Sequence, residues 1–217
     1  MKYVFVIAMD CEAEAALAHF ENPVRKSVSG RTVHEGRFRG EDSEVIVAGI
    51  GKVNAAAATQ LALDRYAAET VVNIGVAGGI DASMKVADVF QVSQAFQCDF
   101  DLSIINGTKK GTVNEYDTPY FELAPLGDYP KAICSSGDFF ANDGHDYGFV
   151  HDEMGAWLRD MELGAIAHVC KRAGVKCVSL KSVSDVNVPG LPPPATQYSE
   201  NLKLAVASLT EAVGRGL

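Results

Sequence analysis

The stretch that decides the fold is Val71-Val72-Asn73-Ile74-Gly75-Val76-Ala77-Gly78-Gly79. Its first part is apolar and β-branched, which is typical of a strand that is buried on both faces. Its last part has three glycines in five residues, so the backbone can turn tightly and approach a ligand closely. Because ligands bind beyond the carboxyl ends of parallel strands, this pattern predicts the floor of a ligand site. The alternative is an ordinary strand followed by a flexible turn.

Strands alternate with helices on both sides of this stretch. Further strands are predicted over residues 2–9, 31–39, 44–49, 86–95, 133–140 (running into a turn), 157–161 and 175–184. Helices are predicted over residues 12–20, 52–66 and 162–173, and a terminal amphipathic helix is marked by Tyr198, Leu202, Ala205, Leu209 and Val213. This alternation, with no internal repeat, predicts an α/β domain in three layers, which 217 residues can build around one sheet.

Composition narrows the class of partner. The formal net charge is -9 and the sequence pI is near 5.0, which disfavours a nucleic acid or an anionic membrane as the partner. The sequence has no apolar run of membrane-spanning length, and its first strand meets acidic residues too early for a secretory signal. We therefore expect a cytoplasmic protein that binds a small molecule.

The five cysteines are scattered, odd in number and without a C-x-x-C spacing: Cys11, Cys98, Cys134, Cys170 and Cys177. This pattern argues against a disulfide framework and against a zinc site. It predicts reduced thiols, most of them buried, and no bound metal.

A glycine pair precedes the helix that begins at Lys52, on which Val53, Ala57 and Leu61 share one face. The pair Gly49 and Gly51 raises the alternative of a dinucleotide site, but Asn54 occupies the place of the third glycine. So partial a match disfavours a nicotinamide cofactor.

Two segments have no regular pattern. Residues 98–128 are rich in Asp, Gly, Asn, Thr and Pro, and a loop of that length in a compact domain is usually functional or lies against a partner. Residues 189–194 contain four prolines and can form neither a helix nor a central strand.

Three carboxylates follow predicted strands, namely Glu12, Glu162 and Asp185. A single acid at a helix start is more often a cap or a partner of the helix dipole, and Asp10 is assigned such a capping role. Three acids beside a glycine-rich floor and an aromatic turn instead indicate general acid–base chemistry. The sequence has no nucleophile elbow, P-loop or clustered His/Cys set, so neither acyl transfer nor a fixed metal is favoured.

Five ordered blocks carry a family resemblance: residues 8–12, 49–56, 73–79, 136–140, and 161–170 with Ser184-Asp185. On these blocks the chain resembles the nucleoside phosphorylase/nucleosidase superfamily, and most closely the bacterial 5′-methylthioadenosine/S-adenosylhomocysteine nucleosidases. The resemblance implies a single three-layer α/β/α domain over residues 1–217, with a mixed, twisted central sheet flanked by helices. It also implies a purine nucleoside as substrate, no cofactor and a homodimer, because in relatives the region of residues 98–128 closes the 5′ pocket of a neighbouring subunit.

The resemblance also implies roles in cleaving the bond between purine N9 and ribose C1′. Asp185 matches the acid that protonates or hydrogen-bonds purine N7, and Ser184 matches the residue that supports this acid. Glu12 matches the base that activates the attacking water. Glu162 matches the carboxylate that binds the ribose hydroxyls, and Met161 packs on the sugar.

The remaining implied contacts are with the base and the 5′ group. Phe140 matches the ring that stacks on the purine, and the backbone of Ala141 reads the purine edge. Met9 and Ile50 match the lining of the 5′ pocket. The floor residues that contact the substrate are Val76, Ala77 and Gly78.

Departures from the family pattern leave three functions open. The phosphorylases that this chain resembles hold phosphate with two arginines. One lies in a Gly-Asp-Pro-x-x-Arg loop after the first strand, where this chain has Met9 to Glu12. The other lies two residues before the first floor glycine, where this chain has Asn73. Water is therefore predicted as the nucleophile, and a phosphate-dependent phosphorylase is the alternative. Val76 stands where the nucleosidases usually have a serine, and Lys181 stands where they have an arginine near the water and the ribose. A catalytically weak nucleoside-binding protein is therefore a third possibility.

Overall fold

The computed structural model of the protein describes residues 1–216. Its strands are β1 (Tyr3–Ile7), β2 (Phe20–Val28), β3 (Arg31–Phe38), β4 (Glu41–Val47), β5 (Thr70–Gly79), β6 (Val89–Gln97), β7 (Phe121–Glu122), β8 (Lys131–Ser136), β9 (Leu158–Asp160) and β10 (Lys176–Val186). Its helices are α1 (Asp10–Leu17), α2 (Lys52–Tyr66), α3 (Ser103–Asn106), α4 (Leu163–Ala173) and α5 (Ala195–Gly216), with a π-helical segment at Gly148–Glu153.

The ten strands form one mixed sheet that is partly closed on itself. β5 pairs in parallel with β1 and β10 and antiparallel with β9, while β10, β6, β8 and β9 complete a ring that returns to β5. β4, β3 and β2 extend the sheet outward from β1. The α/β class and the mixed sheet that the sequence predicts are confirmed, whereas closure into a ring was not foreseen.

Helices pack on both faces of the β1 region because its side chains alternate. Val4 and Val6 are buried in one apolar cluster with alanines of α2 and residues of α4. Phe5 and Ile7 are buried in a second cluster with residues of α1 and α5. A strand with both faces buried must be apolar throughout, as β1 is.

The prediction was wrong for residues 18–20, and the strand that follows them was not predicted. The helix expected to reach Phe20 ends at Leu17, and Phe20–Val28 is the edge strand β2. Seven of its nine residues are exposed, and it contains Pro23, so it has neither the apolar run nor the alternation that marks a buried strand. Asp10 is the first residue of α1 rather than its cap, since Met9 occupies the N-cap position.

Smaller differences concern element faces and ends. The face of α2 that packs on the sheet carries Ala55, Ala58 and Ala62, whereas Val53 is 79% exposed. β10 continues through Asp185, which therefore lies in the strand and not after it. Residues 98–128 contain the short elements α3 and β7 and are otherwise irregular, as predicted.

The cysteines and the terminal helix agree with the sequence. All five thiols are free, and four of them are buried, while Cys11 is partly exposed. α5 is amphipathic and buries Ala205, Leu209, Ala212 and Val213. Within residues 1–216, every helix is too short or too polar to cross a membrane.

Glu44 is a fully buried carboxylate on β4, away from the ends of the parallel strands. It lies between Val4 of β1 and Glu35 of β3, and neither of its carboxylate oxygens has a hydrogen-bond partner among residues 1–216. Burial raises the pKa of Glu44 to about 8; the nearby hydroxyl of Tyr66 opposes this shift, and the charge of Glu35 adds to it. The folded protein therefore keeps a proton that the unfolded chain, with an ordinary pKa of 4.5, releases.

This raised pKa predicts a stability that falls as the pH rises from about 5 to about 8. Glu44→Gln is neutral at every pH, so it should raise the free energy of unfolding by about 1–3 kcal/mol at pH 8 and change it little at pH 5. Urea denaturation at the two pH values measures the difference, with Glu41→Gln on the exposed part of β4 as the control. An equal effect of Glu44→Gln at both pH values would contradict the assignment.

Candidate active site

A cavity of about 480 Å³ lies at the carboxyl ends of β1, β5 and β10. The segments that follow β8 and β9 and the first turn of α5 complete its wall. Its size is that of a small-molecule site. The glycine-rich end of β5 forms part of its floor, where the sequence predicts a ligand site.

The cavity gathers nearly all the residues singled out from the sequence. Its lining includes Met9, Glu12, Ile50, Val76, Ala77, Gly78, Phe140, Ala141, Met161, Glu162, Ser184 and Asp185. Lys181 is the exception, because its side chain is 2% exposed and lies beneath the floor.

Glu12 is held by two backbone N–H groups. Its Oε1 accepts a hydrogen bond from Val76 N at 2.8 Å, and its Oε2 accepts one from Met9 N at 3.1 Å. Burial raises the pKa of Glu12 above its ordinary value, although the charge of Lys181 and these hydrogen bonds oppose the shift. A fixed, poorly solvated carboxylate of this kind is suited to accept a proton.

Glu162 is the N-cap residue of α4 and is held in the same manner. Its Oε1 accepts from Gly51 N at 2.8 Å and its Oε2 from Met161 N at 3.3 Å. Burial, followed by the charge of Asp160, raises the pKa of Glu162 to about 7. Glu162 can therefore exchange a proton near neutral pH.

Asp185 of β10 pairs with Gly78 of β5 in the sheet register. Its Oδ1 accepts a hydrogen bond from Ser184 Oγ at 2.7 Å, and burial raises its pKa above the ordinary value. A Cβ atom added at Gly78 would lie 3.1 Å from Asp185 Oδ2. The glycine thus leaves the room that this carboxylate occupies.

Lys181 forms a buried ion pair with Asp160. Lys181 Nζ lies 2.7 Å from Asp160 Oδ2, and the two side chains are 2% and 1% exposed. Burial is the largest single influence and lowers the pKa of this lysine, but the acidic neighbours, Asp160 first among them, together outweigh it, and the pKa of Lys181 is raised. A protonated ammonium group therefore lies beneath the floor.

An aromatic wall stands at one side of the cavity. Phe140 is 48% exposed, and its ring meets the ring of Tyr198 edge-on at a centroid distance of 5.8 Å. Tyr198 Oη approaches Met9 Sδ at 3.6 Å. The carbonyl of Ala141 accepts a hydrogen bond from Asn187 Nδ2 at 2.8 Å.

Sequence reasoning missed several residues of the cavity, above all Asp160, Arg159, Asn187 and Tyr198. Arg159 Nη2 donates to Asp146 Oδ2 at 2.6 Å, so this cavity cation is already paired. Tyr198 was assigned only to the apolar face of a helix. Asp160 lies inside the predicted strand 157–161, next to the singled-out Met161, and that neighbour was the available signal.

The sequence of this chain is similar to those of known nucleosidases. A model of the family described as the phosphorylase superfamily matches residues 2–215. The 5′-methylthioadenosine/S-adenosylhomocysteine nucleosidase of Marinomonas sp. (strain MWYL1) is 32% identical over 212 residues, covering 91% of this chain and 90% of the relative. That of Bacillus pumilus is 30% identical over 201 residues, covering 86% of each chain.

Solved structures of such nucleosidases have the same fold. The enzyme of Neisseria meningitidis in complex with methylthio-immucillin-A superposes with a TM-score of 0.87 at 27% identity, covering 98% of this chain and 97% of that one. The enzyme of Colwellia psychrerythraea in complex with adenine gives a TM-score of 0.85 at 26% identity, covering 99% and 95%.

Because Gly75 has no side chain, we expect the substitution Gly75→Ala to destabilise the protein. A Cβ atom there would lie 2.7 Å from Glu12 Oε1, so Gly75→Ala must displace the carboxylate from the N–H of Val76. Loss of a hydrogen bond to a charged, buried group should lower the free energy of unfolding by about 2 kcal/mol, measured in urea. Gly148→Ala is the matched control, because nothing lies within 4 Å of its added carbon. Equal stabilities of the two variants would contradict the packing described.

Proposed function

The chain belongs to the phosphorylase superfamily, and we propose that it is a purine nucleosidase that hydrolyses 5′-substituted adenosines, of the methylthioadenosine and S-adenosylhomocysteine type, to adenine and a ribose derivative. The observation that carries the proposal is the meeting of Glu12, Glu162 and Asp185 in one cavity beside an aromatic wall. Breaking an N-glycosidic bond needs a proton for the leaving base and a base for the nucleophile, and carboxylates of raised pKa supply both near neutral pH.

Asp185 is the proposed acid. A purine leaves as an anion unless its N7 receives a proton, and a carboxyl group of raised pKa can donate one. The hydroxyl of Ser184 orients this carboxyl through its hydrogen bond to Oδ1. Phe140 would stack on the base and the Ala141 backbone would meet its edge, so that N7 faces Asp185.

Glu12 is the proposed base for water, and Glu162 binds the ribose hydroxyls. Both are fixed by backbone N–H groups, so they need little reorganisation when positive charge develops on the sugar. Met161 packs on the sugar in this arrangement, and Val76 to Gly78 form the floor beneath it. Met9 and Ile50 line the pocket for the 5′ substituent.

Charge favours water over phosphate as the nucleophile. A phosphate dianion needs arginine or lysine to hold it. In this cavity Arg159 is paired with Asp146, and Lys181 is paired with Asp160 beneath the floor. The dianion would instead face Glu12 and other carboxylates, whereas a water molecule would not be repelled.

One observation favours a second candidate, a nucleoside-binding protein of low activity. Lys181 occupies a place where related nucleosidases are expected to have an arginine, and its ammonium is committed to Asp160. A group held in this way gives the ribose and the water no bidentate contact. Tight adenine binding without turnover would favour this candidate.

We also propose a single domain over residues 1–217 in three layers, and a homodimer. The layers are supported by α1 with α5 and α2 with α4 lying on alternate sides of β1. The dimer is supported by exposed apolar side chains on α2 and α3: Val53 is 79%, Ile104 98% and Ile105 81% exposed. Location in the cytoplasm stays a prediction from the sequence.

The proposed reaction predicts adenine release from methylthioadenosine in phosphate-free buffer, followed by chromatography. Adding phosphate should neither accelerate it nor yield a ribose 1-phosphate. Asp185→Asn, which cannot donate the proton, should lower kcat by about 10²–10⁴-fold, whereas Asp64→Asn on the exposed side of α2 should have no effect. Absence of adenine release from every purine nucleoside would overturn the proposal, and a strict need for phosphate would convert it to a phosphorylase.

A further inference from the structure

Asp160 is a residue of the cavity wall with a buried carboxylate, and the proposed reaction assigns no role to it. It ends β9, and its side chain is 1% exposed. Oδ1 accepts a hydrogen bond from Ser136 Oγ at 2.5 Å, and Oδ2 accepts one from Leu163 N at 3.0 Å, at the start of α4. Oδ2 also contacts Lys181 Nζ at 2.7 Å. Such complete satisfaction fixes the carboxylate in a single position.

The ammonium of Lys181 has several acidic neighbours, which come from different elements. Asp160 of β9 is in ion-pair contact with it, while Glu12 of α1, Glu162 at the start of α4 and the neutral thiol of Cys134 on β8 also face it. Without Asp160, the ammonium would have only Glu12 and Glu162 as ionic partners among the groups that face it.

Gly75 makes the approach to Glu12 possible. A carbon added there would lie 2.7 Å from Glu12 Oε1 and 3.5 Å from Lys181 Nζ, so the two groups flank the same bare position of β5. A lysine side chain is flexible, and an unpaired ammonium at this place would move onto the Glu12 carboxylate. Glu12 would then be a weaker base and less free to bind water.

We propose that Asp160 is a positioning residue that holds the ammonium of Lys181 away from Glu12, so that Glu12 remains free to take a proton from the attacking water. The inference rests on the proposed hydrolysis and adds to it a residue that does not itself touch substrate. The electrostatics agree in direction. The charge of Asp160 raises the pKa of Glu12 and of Glu162, whereas the charge of Lys181 lowers the pKa of both.

Asp160→Asn separates this role from a structural one. The amide has the same shape and keeps one oxygen, which can accept from the hydroxyl of Ser136, but its NH2 replaces the oxygen that accepts from Leu163 N and pairs with Lys181. The acid limb of the pH profile of kcat/KM should move to lower pH by about one unit or more, because the base has become weaker. In the plateau kcat should fall by about tenfold or more.

Two further variants make the test decisive. Asp160→Asn combined with Lys181→Met removes both charges, so no unpaired ammonium is left to approach Glu12. The acid limb should therefore return towards its wild-type position. Glu44→Gln is the control, since it changes a buried carboxyl group on β4 that lies outside the cavity and should leave the limb in place.

The outcomes are distinguishable from failure of the function itself. No adenine release by the wild-type protein would overturn the proposed hydrolysis, and this role with it. An active wild type whose Asp160→Asn variant loses rate with an unmoved limb would overturn the role of Asp160 alone. So would a double variant that retains the shifted limb.

Discussion

The ion pair between Lys181 and Asp160 is the constraint on which the arrangement of the site depends. Taking two opposite charges out of water costs several kcal/mol for each, and the cost is recovered only when the geometry is good and the remaining polar atoms are satisfied. The two residues lie on β10 and β9, both of which pair with β5. The pair therefore joins the strands on either side of the glycine-rich strand, directly beneath the cavity.

Glycines in β5 allow carboxylates to collect above that pair. The place of a side chain at Gly75 is taken by Glu12, and the corresponding place at Gly78 is taken by Asp185. In the opening stretch of the sequence these glycines indicated a backbone that a ligand can approach. In the structure the nearest neighbours of these two bare positions are the protein's own carboxylates, Glu12 and Asp185. In the proposed reaction the two glycines therefore serve the substrate indirectly, because they make room for the groups that would act on it.

The sequence predicted what local pattern controls. β5, α2 and α4 were placed correctly because apolar runs and end glycines mark them, and the glycine after α4, Gly174, has the left-handed φ of 68° that such an end requires. β2 was missed because an exposed edge strand carries no such pattern. The closed ring depends on pairing between β10 and β6, far apart in the chain, which no periodicity reveals. Asp160 was missed because one acid at a strand end is indistinguishable in sequence from a surface residue.

Burial, more than any single neighbour, raises the pKa values of the carboxylates in this site. It is the largest cause of the raised pKa at Glu12, Glu162 and Asp185. Three such carboxylates would repel one another if all were ionised. An unpaired Lys181 would attract the nearby carboxylates and lower their pKa values. Because Asp160 takes up the ammonium, the acids differ through their own hydrogen bonds: two N–H donors favour charge on Glu12, while Asp185 has only the hydroxyl of Ser184. That difference supports the proposed roles, with Glu12 as the base and Asp185 as the acid.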